Sequence, residues 1–396
     1  MKKLRVGILF GGRSGEHEVS LLSAASVLQA IDRRKYDVQL IGIAKDGRWL
    51  TAADAGKLLP SAARPQPLRA GDPEATPGAA LLEQGSEVLV SPVPPSHGGN
   101  ETALTALRAS AESSLNVDVI FPVLHGTFGE DGTVQGLLEL ADMAYVGSGV
   151  LGSAAGMDKD VMKRLFAAAG LPLTKHVTVL RSAWQQKPKR VKQEIEAALR
   201  YPVFVKPANL GSSVGISKAH DASELAPAMD LAARYDRKIV VEQAVGGKRG
   251  KARELEVAVL GNDDPQASVV GEVIPVKEFY DYEAKYLSEG SQLIIPAKLS
   301  REETARVRKL ALQAFRACEC AGMARVDFLM EPGEPRAGRP RRIYLNEVNT
   351  LPGFTAISMY PKLWAASGVA YPDLIDRLIE LGRARHQEMR ASRYAL

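Results

Sequence analysis

The stretch RIYLNEVNTLPG, which runs from Arg342 to Gly353, contains the most informative pattern in the chain. It begins with the apolar alternation of a strand and then places Glu347 and Asn349 two residues apart. Because side chains at positions i and i+2 of a strand point to the same side of the sheet, both oxygens can face one cation. Oxygen ligands of this kind suit a hard divalent ion such as Mg²⁺.

A second predicted strand strengthens this pattern. About twenty residues earlier, Arg325 and Asp327 have the same spacing and place an arginine beside a carboxylate. A lone Glu-x-Asn is common, but the two strands together offer three oxygen ligands and one arginine. They predict a centre that binds Mg²⁺ and phosphate.

Composition is typical of a globular protein with two or three domains. The 396 residues exceed one ordinary core, and 45% of them are hydrophobic and 24% charged. The net charge of +5 is spread along the chain, without the basic runs of a nucleic-acid tail. No stretch approaches the roughly 18 apolar residues of a membrane span. The start, Met1 to Lys3, precedes only a strand-length apolar run rather than a signal peptide. We therefore expect a cytoplasmic protein with neither a nucleic-acid nor a membrane partner.

The order of the predicted elements indicates an α/β chain. Leu4 to Phe10 predicts a buried strand, a helix follows from about Glu18 to Ile31, and Val38 to Ala44 predicts a second strand. This order predicts a parallel sheet with a right-handed crossover. The Pro-, Gly- and Ala-rich region 59–100 predicts surface loops. The expected domains are residues 1–146, 147–236 and 237–396.

Two patterns have stronger structural than functional interpretations. The run GSGVLG at 147–152 matches a dinucleotide fingerprint, but no acid-terminated second strand follows at the right distance. A glycine-rich domain junction is the better interpretation. Cys318 and Cys320 are predicted on one helix at i,i+2, where side chains diverge, so we expect buried thiols rather than a disulfide or metal pair.

A glycine- and serine-rich loop and two lysines are candidates for binding phosphate. The loop GSSVG at 211–215 follows a predicted strand that ends at Lys206, and its backbone N–H groups and serines could contact phosphate oxygens. It lacks the Walker form, and a surface loop is the alternative. Lys206 ends an apolar strand and Lys159 opens a helix, so either could reach an anion. Ordinary surface lysines are the alternative.

Three further segments could complete a binding site. The stretch FYDYEAKY at 279–286 is rich in aromatic and charged residues and could form a lid or a binding surface. Glu16 and His125 follow first-domain strands at their carboxyl ends, where ligands collect in open α/β sheets. Each of these two residues has a structural role as its alternative.

In their order along the chain, these segments resemble the ATP-grasp superfamily, and more closely its D-alanine–D-alanine ligases. The resemblance covers nearly the whole chain and rests on these motifs: Gly11 to Ser20, His125 to Gly132, Met157 to Lys159, Val205 to Pro207, Gly211 to Gly215, Tyr280 to Tyr286 and Asn346 to Thr355. It implies a three-domain fold in which an N-terminal open parallel sheet precedes two α+β domains that sandwich ATP. It also implies a homodimer that joins two D-alanines through a D-alanyl phosphate, for peptidoglycan synthesis.

The resemblance implies a role for each matching residue. The residues implied to bind ATP are Lys159, Lys206, Ser213, Lys285, the adenine hinge Glu242, Gln243, Ala244 and Val245, and the ribose ligand Glu254. The ligands implied for two Mg²⁺, with Mn²⁺ as a substitute, are Asp327, Glu347 and Asn349. The residues implied to bind D-alanine or act in catalysis are Glu16, His125, Ser212, Tyr286, Arg325, Gly353 and Ser358.

Two segments depart from the family pattern. Region 59–100 matches poorly but contains no expected site residue. Segment 246–252 makes the approach to Glu254 longer and more basic than expected, which leaves Glu256 as an alternative ribose ligand.

The resemblance also separates the candidate activities. Ligases that make D-alanyl-D-lactate usually carry Phe at the position of Tyr286, so this tyrosine favours dipeptide formation. A catalytically silent nucleotide-binding module is one rival, and the complete set of metal ligands and lysines argues against it. Another carboxylate–amine ligase, or a biotin-carboxylase-like enzyme, is the second rival. It would lack the segments of Glu16, His125 and Tyr286.

Overall fold

Three separate sheets organise the chain. The computed structural model describes residues 2–50, 52–59, 117–246, 250–274, 292–333, 340–355 and 357–393. The strands are β1 Leu4–Gly11, β2 Tyr36–Ile43, β3 Trp49–Leu50, β4 Val119–Pro122, β5 His176–Leu180, β6 Val203–Pro207, β7 Ser217–Ala219, β8 Lys238–Gln243, β9 Arg253–Gly261, β10 Gln266–Ile274, β11 Gln292–Ile294, β12 Gly322–Met330 and β13 Ile343–Asn349. The helices are α1 His17–Ala30, α2 Ala52–Lys57, α3 Thr133–Leu140, α4 Val150–Met157, α5 Lys159–Ala168, α6 Arg181–Gln186, α7 Pro188–Ala198, α8 Leu225–Tyr235, α9 Arg301–Ala317, α10 Met359–Ala366 and α11 Tyr371–Ala391.

The first sheet has the order β3-β2-β1-β4. Strand β1 is flanked by β2 and β4, both parallel to it, and α1 makes the crossover between β1 and β2. The predicted β-α-β unit is therefore confirmed. Parallel strands end at the same sheet edge, which brings the loop that carries Glu16 and the loop that carries His125 together.

The second sheet has the order β5-β8-β6-β7 and is antiparallel throughout. Strand β8 lies between β5 and β6, so Lys238–Gln243 is an integral part of this sheet. A domain boundary between residues 236 and 237 would separate β8 from both of its partners. We therefore propose that the central unit ends after Gln243.

The third sheet has the order β11-β10-β9-β12-β13 and carries the pattern with which the sequence analysis began. Its neighbouring strands are antiparallel, and α9 packs on one face through an apolar cluster that includes Val307 and Phe315. Helix α9 begins with a capping box in which Ser300 and Glu303 bind each other's backbone N–H groups.

The last helix packs against the first sheet. Leu374, Ile375 and Leu378 of α11 lie in the same buried cluster as Val6 and Phe121 of β1 and β4. Further along α11, the His386 Nε2 atom lies 3.0 Å from Asp142 Oδ1, and the Arg385 guanidinium stacks 4.2 Å from the Tyr145 ring centroid. One core therefore contains residues from both ends of the chain.

Two element boundaries differ from the sequence predictions. Helix α9 ends at Ala317, so Cys318 and Cys320 follow the helix, where both are buried as expected. The sequence pattern predicts a last amphipathic helix from about Tyr371 to Arg385, but α11 continues to Ala391, because polar residues keep its helical spacing on the exposed side. No helix of the described residues is both long and apolar enough to cross a membrane.

The glycine-rich run at 147–152 forms a packed junction, as expected. It leads into α4, and a Cβ added at Gly152 would lie 2.4 Å from the carbonyl oxygen of Glu319. Glycine is needed here because α4 packs directly on that backbone.

Candidate active site

Three carboxylates lie in register across the third sheet. Asp327 on β12 is opposite Glu256 on β9 and opposite Glu347 on β13. Directly opposed residues of antiparallel strands project to the same face, so the three form one line that we call the carboxylate row. Arg325 and Asn349 are also opposed, two residues further along the same face. A β-bulge follows directly after Asp327, an irregularity that is common next to active sites.

Arg325 links two members of the carboxylate row. Its Nε and Nη2 atoms donate to the two oxygens of Asp327 at 2.8 and 2.7 Å, and Nε lies 3.0 Å from Glu256 Oε2. Asn349 Nδ2 donates to Asp327 Oδ2 at 3.0 Å. A planar guanidinium matches carboxylates in this forked way, which fixes its position more firmly than a lysine would be fixed.

Glu254 and Glu256, which the sequence left as alternatives for ribose, have different neighbours. Glu256 is engaged by Arg325 inside the carboxylate row. Glu254 lies two residues earlier on β9, and its charge helps to raise the pKa of Lys206. Because Glu256 is already paired with Arg325, we propose Glu254 as the ribose ligand.

The donor set fits a divalent ion that is shared with phosphate. Asp327, Glu347 and Asn349 supply two carboxylates and an amide, all hard oxygen donors. No group of three or more His, Cys, Asp or Glu residues in the described ranges forms a metal site by itself. An ion held here would need additional oxygens from a substrate or water, and Mg²⁺ in nucleotide sites is bound in that way.

Lys159 lies at the edge of the carboxylate row. Its Nζ atom donates to the carbonyl oxygen of Leu210 at 2.8 Å and lies 3.9 Å from Glu347 Oε2. Asp158 caps the helix that begins at Lys159 by accepting N–H bonds at 3.1 Å from Asp160 and Val161. The cap fixes the turn from which the lysine side chain extends.

The loop at 211–215 closes over this lysine. A cavity of about 60 Å³ is lined by Lys159, Ser212, Ser213, Glu347 and Asn349, among others. Ser212 and Ser213 have φ values of 48° and 60°, a left-handed conformation that is uncommon for residues with a side chain. Strained backbone of this kind is often found at ligand-binding loops.

The expected adenine hinge begins in the last two residues of β8 and continues past the end of the strand. The carboxylate of Glu242 is buried and forms a 2.5 Å ion pair with Lys206. The backbone N–H of Gln243 donates to Lys175 at 2.9 Å, and that of Ala244 donates to Pro202 at 3.0 Å. Val245 comes next, directly before the turn at Gly246. These bonds fix the path of the segment.

Glu16 lies where loops of the first two units meet. Its carboxylate accepts a hydrogen bond from the Ser212 hydroxyl. A Cβ added at Gly126 would lie 2.6 Å from Glu16 Oε2, and one at Gly211 would lie 2.9 Å from the same oxygen. Two glycines on different loops therefore allow both backbones to approach one carboxylate.

His125 lies behind this site. Its Nδ1 atom is 3.1 Å from the carbonyl oxygen of Leu351, and its Nε2 atom is 2.9 Å from Ser23 Oγ. Burial lowers the pKa of the imidazole, although the charge of Glu16 opposes this. Because both ring nitrogens contact protein atoms, His125 is placed to join α1, its own loop and the loop after β13.

Glu130 is a half-buried residue that sequence reasoning did not identify as a site residue. Its Oε1 atom accepts the Gly126 N–H at 3.1 Å, and the residue lines the cavity beside Lys159. Burial, with a smaller contribution from the charge of Glu16, raises the pKa of Glu130 to about 8. An acidic residue enclosed by glycines, as in GEDG at 129–132, is the signal that could have identified it.

Gly353 and Ser358 are neighbours on the loop after β13. A Cβ added at Gly353 would lie 2.8 Å from Ser358 Oγ, which accepts the Thr355 N–H at 3.0 Å. The glycine is therefore needed for the close packing of this loop. The remaining expected site residues, Lys285 and Tyr286, lie outside the described residues.

Comparisons with known proteins agree on one family. The family model described as D-ala D-ala ligase N-terminus matches residues 5–148, and the model described as D-ala D-ala ligase C-terminus matches residues 165–380. The chain is 46% identical to the D-alanine--D-alanine ligase of Bacillus cytotoxicus, with 100% of each chain covered. It is 48% identical to the enzyme of that name from Chloroherpeton thalassium, with 98% of each covered.

Solved structures give the same result at the level of the fold. The D-alanine-D-alanine ligase from Coxiella burnetii is 34% identical with a TM-score of 0.77, and the match covers 99% of this chain and 97% of that one. The VanG D-Ala:D-Ser ligase from Enterococcus faecalis is also 34% identical with a TM-score of 0.77, and the match covers 96% of this chain and 100% of that one. These matches confirm the expected multi-domain ATP-grasp architecture.

Proposed function

We propose, because the chain belongs to the D-alanine–D-alanine ligase family, that the residues described above carry out the family's ligation. The enzyme is an ADP-forming ligase that joins two D-alanines with ATP to give D-alanyl-D-alanine, a peptidoglycan precursor. One observation carries the assignment of roles. The cavity lined by Lys159, Glu347 and Ser212 lies between the carboxylate row and Glu16.

Amide formation needs an activated carboxyl group. The carboxylate oxygen of the first D-alanine attacks the γ-phosphorus of ATP, ADP leaves, and D-alanyl phosphate forms. The amino group of the second D-alanine then attacks the acyl carbon, the C–N bond forms, and phosphate leaves with the C–O electron pair. The protein mainly positions the reactants and stabilises developing charge.

The loops and Arg325 bind the reacting amino acids in this proposal. Glu16, held by Ser212, receives the ammonium group of the first D-alanine. The Arg325 guanidinium and the Gly353 N–H donate to the oxyanion of the tetrahedral intermediate. Ser358, adjacent to Gly353, binds the carboxylate of the second D-alanine. Tyr286 is still expected to tie the lid to Ser212 and Glu16.

Lysines and the hinge bind the nucleotide. Lys159 and Lys206 contact phosphate oxygens, Ser213 donates from the strained loop, and Glu254 binds ribose. The segment from Glu242 to Val245 binds the adenine edge, and Lys285 adds a phosphate contact by analogy with the family pattern.

Asp327, Glu347 and Asn349 would hold the two divalent ions. We infer Mg²⁺, with Mn²⁺ as a substitute, because the donors are hard oxygens. Bound ions would neutralise the charge of the phosphoryl group as it is transferred. The two hydrogen bonds from Arg325 support this assignment, because they fix the position of the Asp327 carboxylate.

A homodimer and a cytoplasmic location also belong to the proposal. The homodimer rests on the family resemblance, and light scattering of the purified chain tests it. The location rests on the requirement for ATP, which cells keep in the cytoplasm, and fractionation tests it.

The decisive test is the identity of the product. Phosphate release would be followed with ATP, Mg²⁺ and D-alanine, alone or with D-serine or D-lactate, and with L-alanine as the control. Products would be identified by mass. We expect D-alanyl-D-alanine as the main product and none from L-alanine. A predominance of D-alanyl-D-serine or D-alanyl-D-lactate would overturn the substrate assignment and the role of Tyr286, and no turnover would overturn the proposal.

A further inference from the structure

Lys163 belongs to a buried cluster of charges beside the nucleotide lysines. Its side chain is 1% exposed, and its Nζ atom lies 2.5 Å from Oε1 of Glu242, whose side chain is 4% exposed. Lys206 approaches the other oxygen, Oε2, at 2.5 Å. Thr174 Oγ1 donates to Oε1 at 2.6 Å. The Glu242 carboxylate therefore forms ion pairs with two ammonium groups, one at each oxygen.

Each charge in this cluster is stabilised by neighbouring groups of opposite charge. Burial opposes ionisation of Glu242, but the two lysines outweigh it and lower the pKa of the carboxyl group. Burial likewise opposes the charge of Lys206, and Glu242, Glu347 and Glu254 outweigh it and raise the pKa of the ammonium. A buried charge that loses its only partner is strongly disfavoured. Glu242 could not release Lys206 to a phosphate unless another cation remained.

Lys163 is placed to be that cation. It lies four residues after Lys159 on α5, so both lysines project from one face of the helix. Lys159 reaches Glu347 at the phosphate side, whereas Lys163 reaches Glu242 and the carbonyl oxygen of Asn346, the latter at 3.4 Å. Helix α5 therefore directs the Lys159 ammonium toward the substrate and the Lys163 ammonium toward the back of the hinge.

We propose that Lys163 is a positioning residue that makes Lys206 available to ATP. By neutralising Glu242 through Oε1, Lys163 allows Lys206 to leave Oε2 and bind a phosphate oxygen. It also keeps Oε2 ionised and oriented toward the adenine edge. This inference rests on the proposed function, in which Lys206 is a phosphate ligand. Lys163 itself does not touch the nucleotide.

The test measures affinity for a non-hydrolysable ATP analogue with Mg²⁺ by calorimetry, in the full chain. Lys163→Met should weaken binding about tenfold, because Lys206 becomes the only cation paired with Glu242 among the described residues. In a Glu242→Gln background there is no charge to neutralise, so the same substitution should weaken binding by less than about threefold. Lys163→Arg should retain most of the affinity. Equal effects of Lys163→Met in the two backgrounds would overturn the proposal.

Two control substitutions separate the possible causes of weaker binding of the ATP analogue. Arg164→Met removes an exposed cation from the same helix, where the side chain is 72% exposed and pairs with Asp160, and it should leave affinity unchanged. Lys206→Met tests the premise, since it should weaken binding whether or not Lys163 acts as proposed. Unchanged affinity in Lys206→Met would sink the phosphate role of Lys206. Loss in Lys206→Met with no change in Lys163→Met would sink only the proposal for Lys163.

Kinetics provide a second readout. Lys163→Met should raise KM for ATP while the KM for D-alanine stays within about twofold of the native value, because the D-alanine sites lie on other loops. If Lys163→Met does not fold, as judged by circular dichroism, Lys163→Gln is compared in the same two backgrounds. A parallel rise in both KM values would indicate general disruption and contradict the proposal.

Discussion

The carboxylate row and the Glu16 site are built in opposite ways. The carboxylate row lies on three neighbouring strands, where register alone places Glu256, Asp327 and Glu347 side by side. Glu16 instead lies among loops from two units, and its position depends on glycines that let those loops approach it. Strand geometry tolerates little displacement of its charges, whereas a loop site can shift as it binds substrate. The difference predicts that substitutions in the carboxylate row lower kcat, whereas substitutions in the loops around Glu16 lower the affinity for D-alanine.

The largest effect should come from the centre of the carboxylate row. Asp327→Ala removes a proposed metal ligand and one partner of Arg325, and a bound ion contributes several kcal/mol to charge stabilisation. We expect kcat to fall by about a thousandfold or more. Steady-state phosphate release measures it.

Asp118→Ala is the matched control for this substitution. It removes the carboxylate of another Arg–Asp pair, with Arg5, in the first sheet. It should lower stability and leave kcat within about twofold. A similar kcat in both variants would mean that the carboxylate row has no special part in catalysis.

The next effect tests the two-point contact between the Arg325 guanidinium and the Asp327 carboxylate. Arg325→Lys keeps the charge but loses the two-point contact with Asp327, and loss of one oxyanion donor typically costs about 10²–10³ in kcat. Arg341→Lys alters a comparable forked pair with Glu303, away from the site, and should leave kcat unchanged. If Arg325→Lys altered KM for D-alanine and left kcat intact, the arginine would be a binding residue only.

A smaller effect should come from the loop site. Gly126 has φ +74°, and a Cβ there would meet Glu16 Oε2 at 2.6 Å, so Gly126→Ala should raise KM for D-alanine by about 10- to 100-fold. Gly170 has φ +68° with nothing within 4 Å of an added Cβ. Gly170→Ala therefore carries the same backbone strain without the collision. Equal KM values in the two variants would show that strain, rather than contact with Glu16, governs the loop.

The smallest effect concerns the pH dependence of stability. The pKa of Glu130 is raised from 4.5 to about 8 in the fold, so its contribution to stability is present below pH 4.5 and is lost as pH rises through 8. Glutamine does not titrate. The free energy of unfolding of Glu130→Gln, relative to the native chain, should therefore increase between pH 5 and 9. Urea unfolding at several pH values measures it, and a difference that does not vary with pH would contradict the raised pKa.

The contrast between the carboxylate row on strands and the Glu16 site on loops also explains which contacts the sequence could predict. Residues at i,i+2 on strands, such as Arg325 with Asp327, have a direction fixed by the pleat, so their proximity followed from spacing alone. The first β-α-β unit followed equally well from its apolar runs. The contact of Glu16 with Gly126 and Gly211 joins segments far apart in the chain, and no local pattern encodes it. The family resemblance suggested the Glu16 neighbourhood, whereas propensity and periodicity did not.

Other features were missed for identifiable reasons. Lys163 follows Lys159 by one helical turn, so the spacing places it on the same helix face, but lysine is so rarely buried that the spacing alone predicts an exposed residue. The role of β8 in the second sheet depends on which strands pair, which a single sequence does not specify. His125 was expected near substrate, and its bonds to Ser23 and Leu351 could be recognised only once three segments were placed together.

The packing of the last helix on the first sheet has a consequence for synthesis on the ribosome. Val6 and Phe121 are synthesised more than two hundred residues before Leu374 and Leu378, which share their cluster. At ~5–20 residues per second, the apolar face of the nascent first unit waits for tens of seconds before its partner exists. During that interval the emerging chain presents an exposed apolar surface, which makes it prone to aggregation. Stalled or prematurely ended translation before α11 should therefore give aggregation-prone fragments rather than a folded first domain.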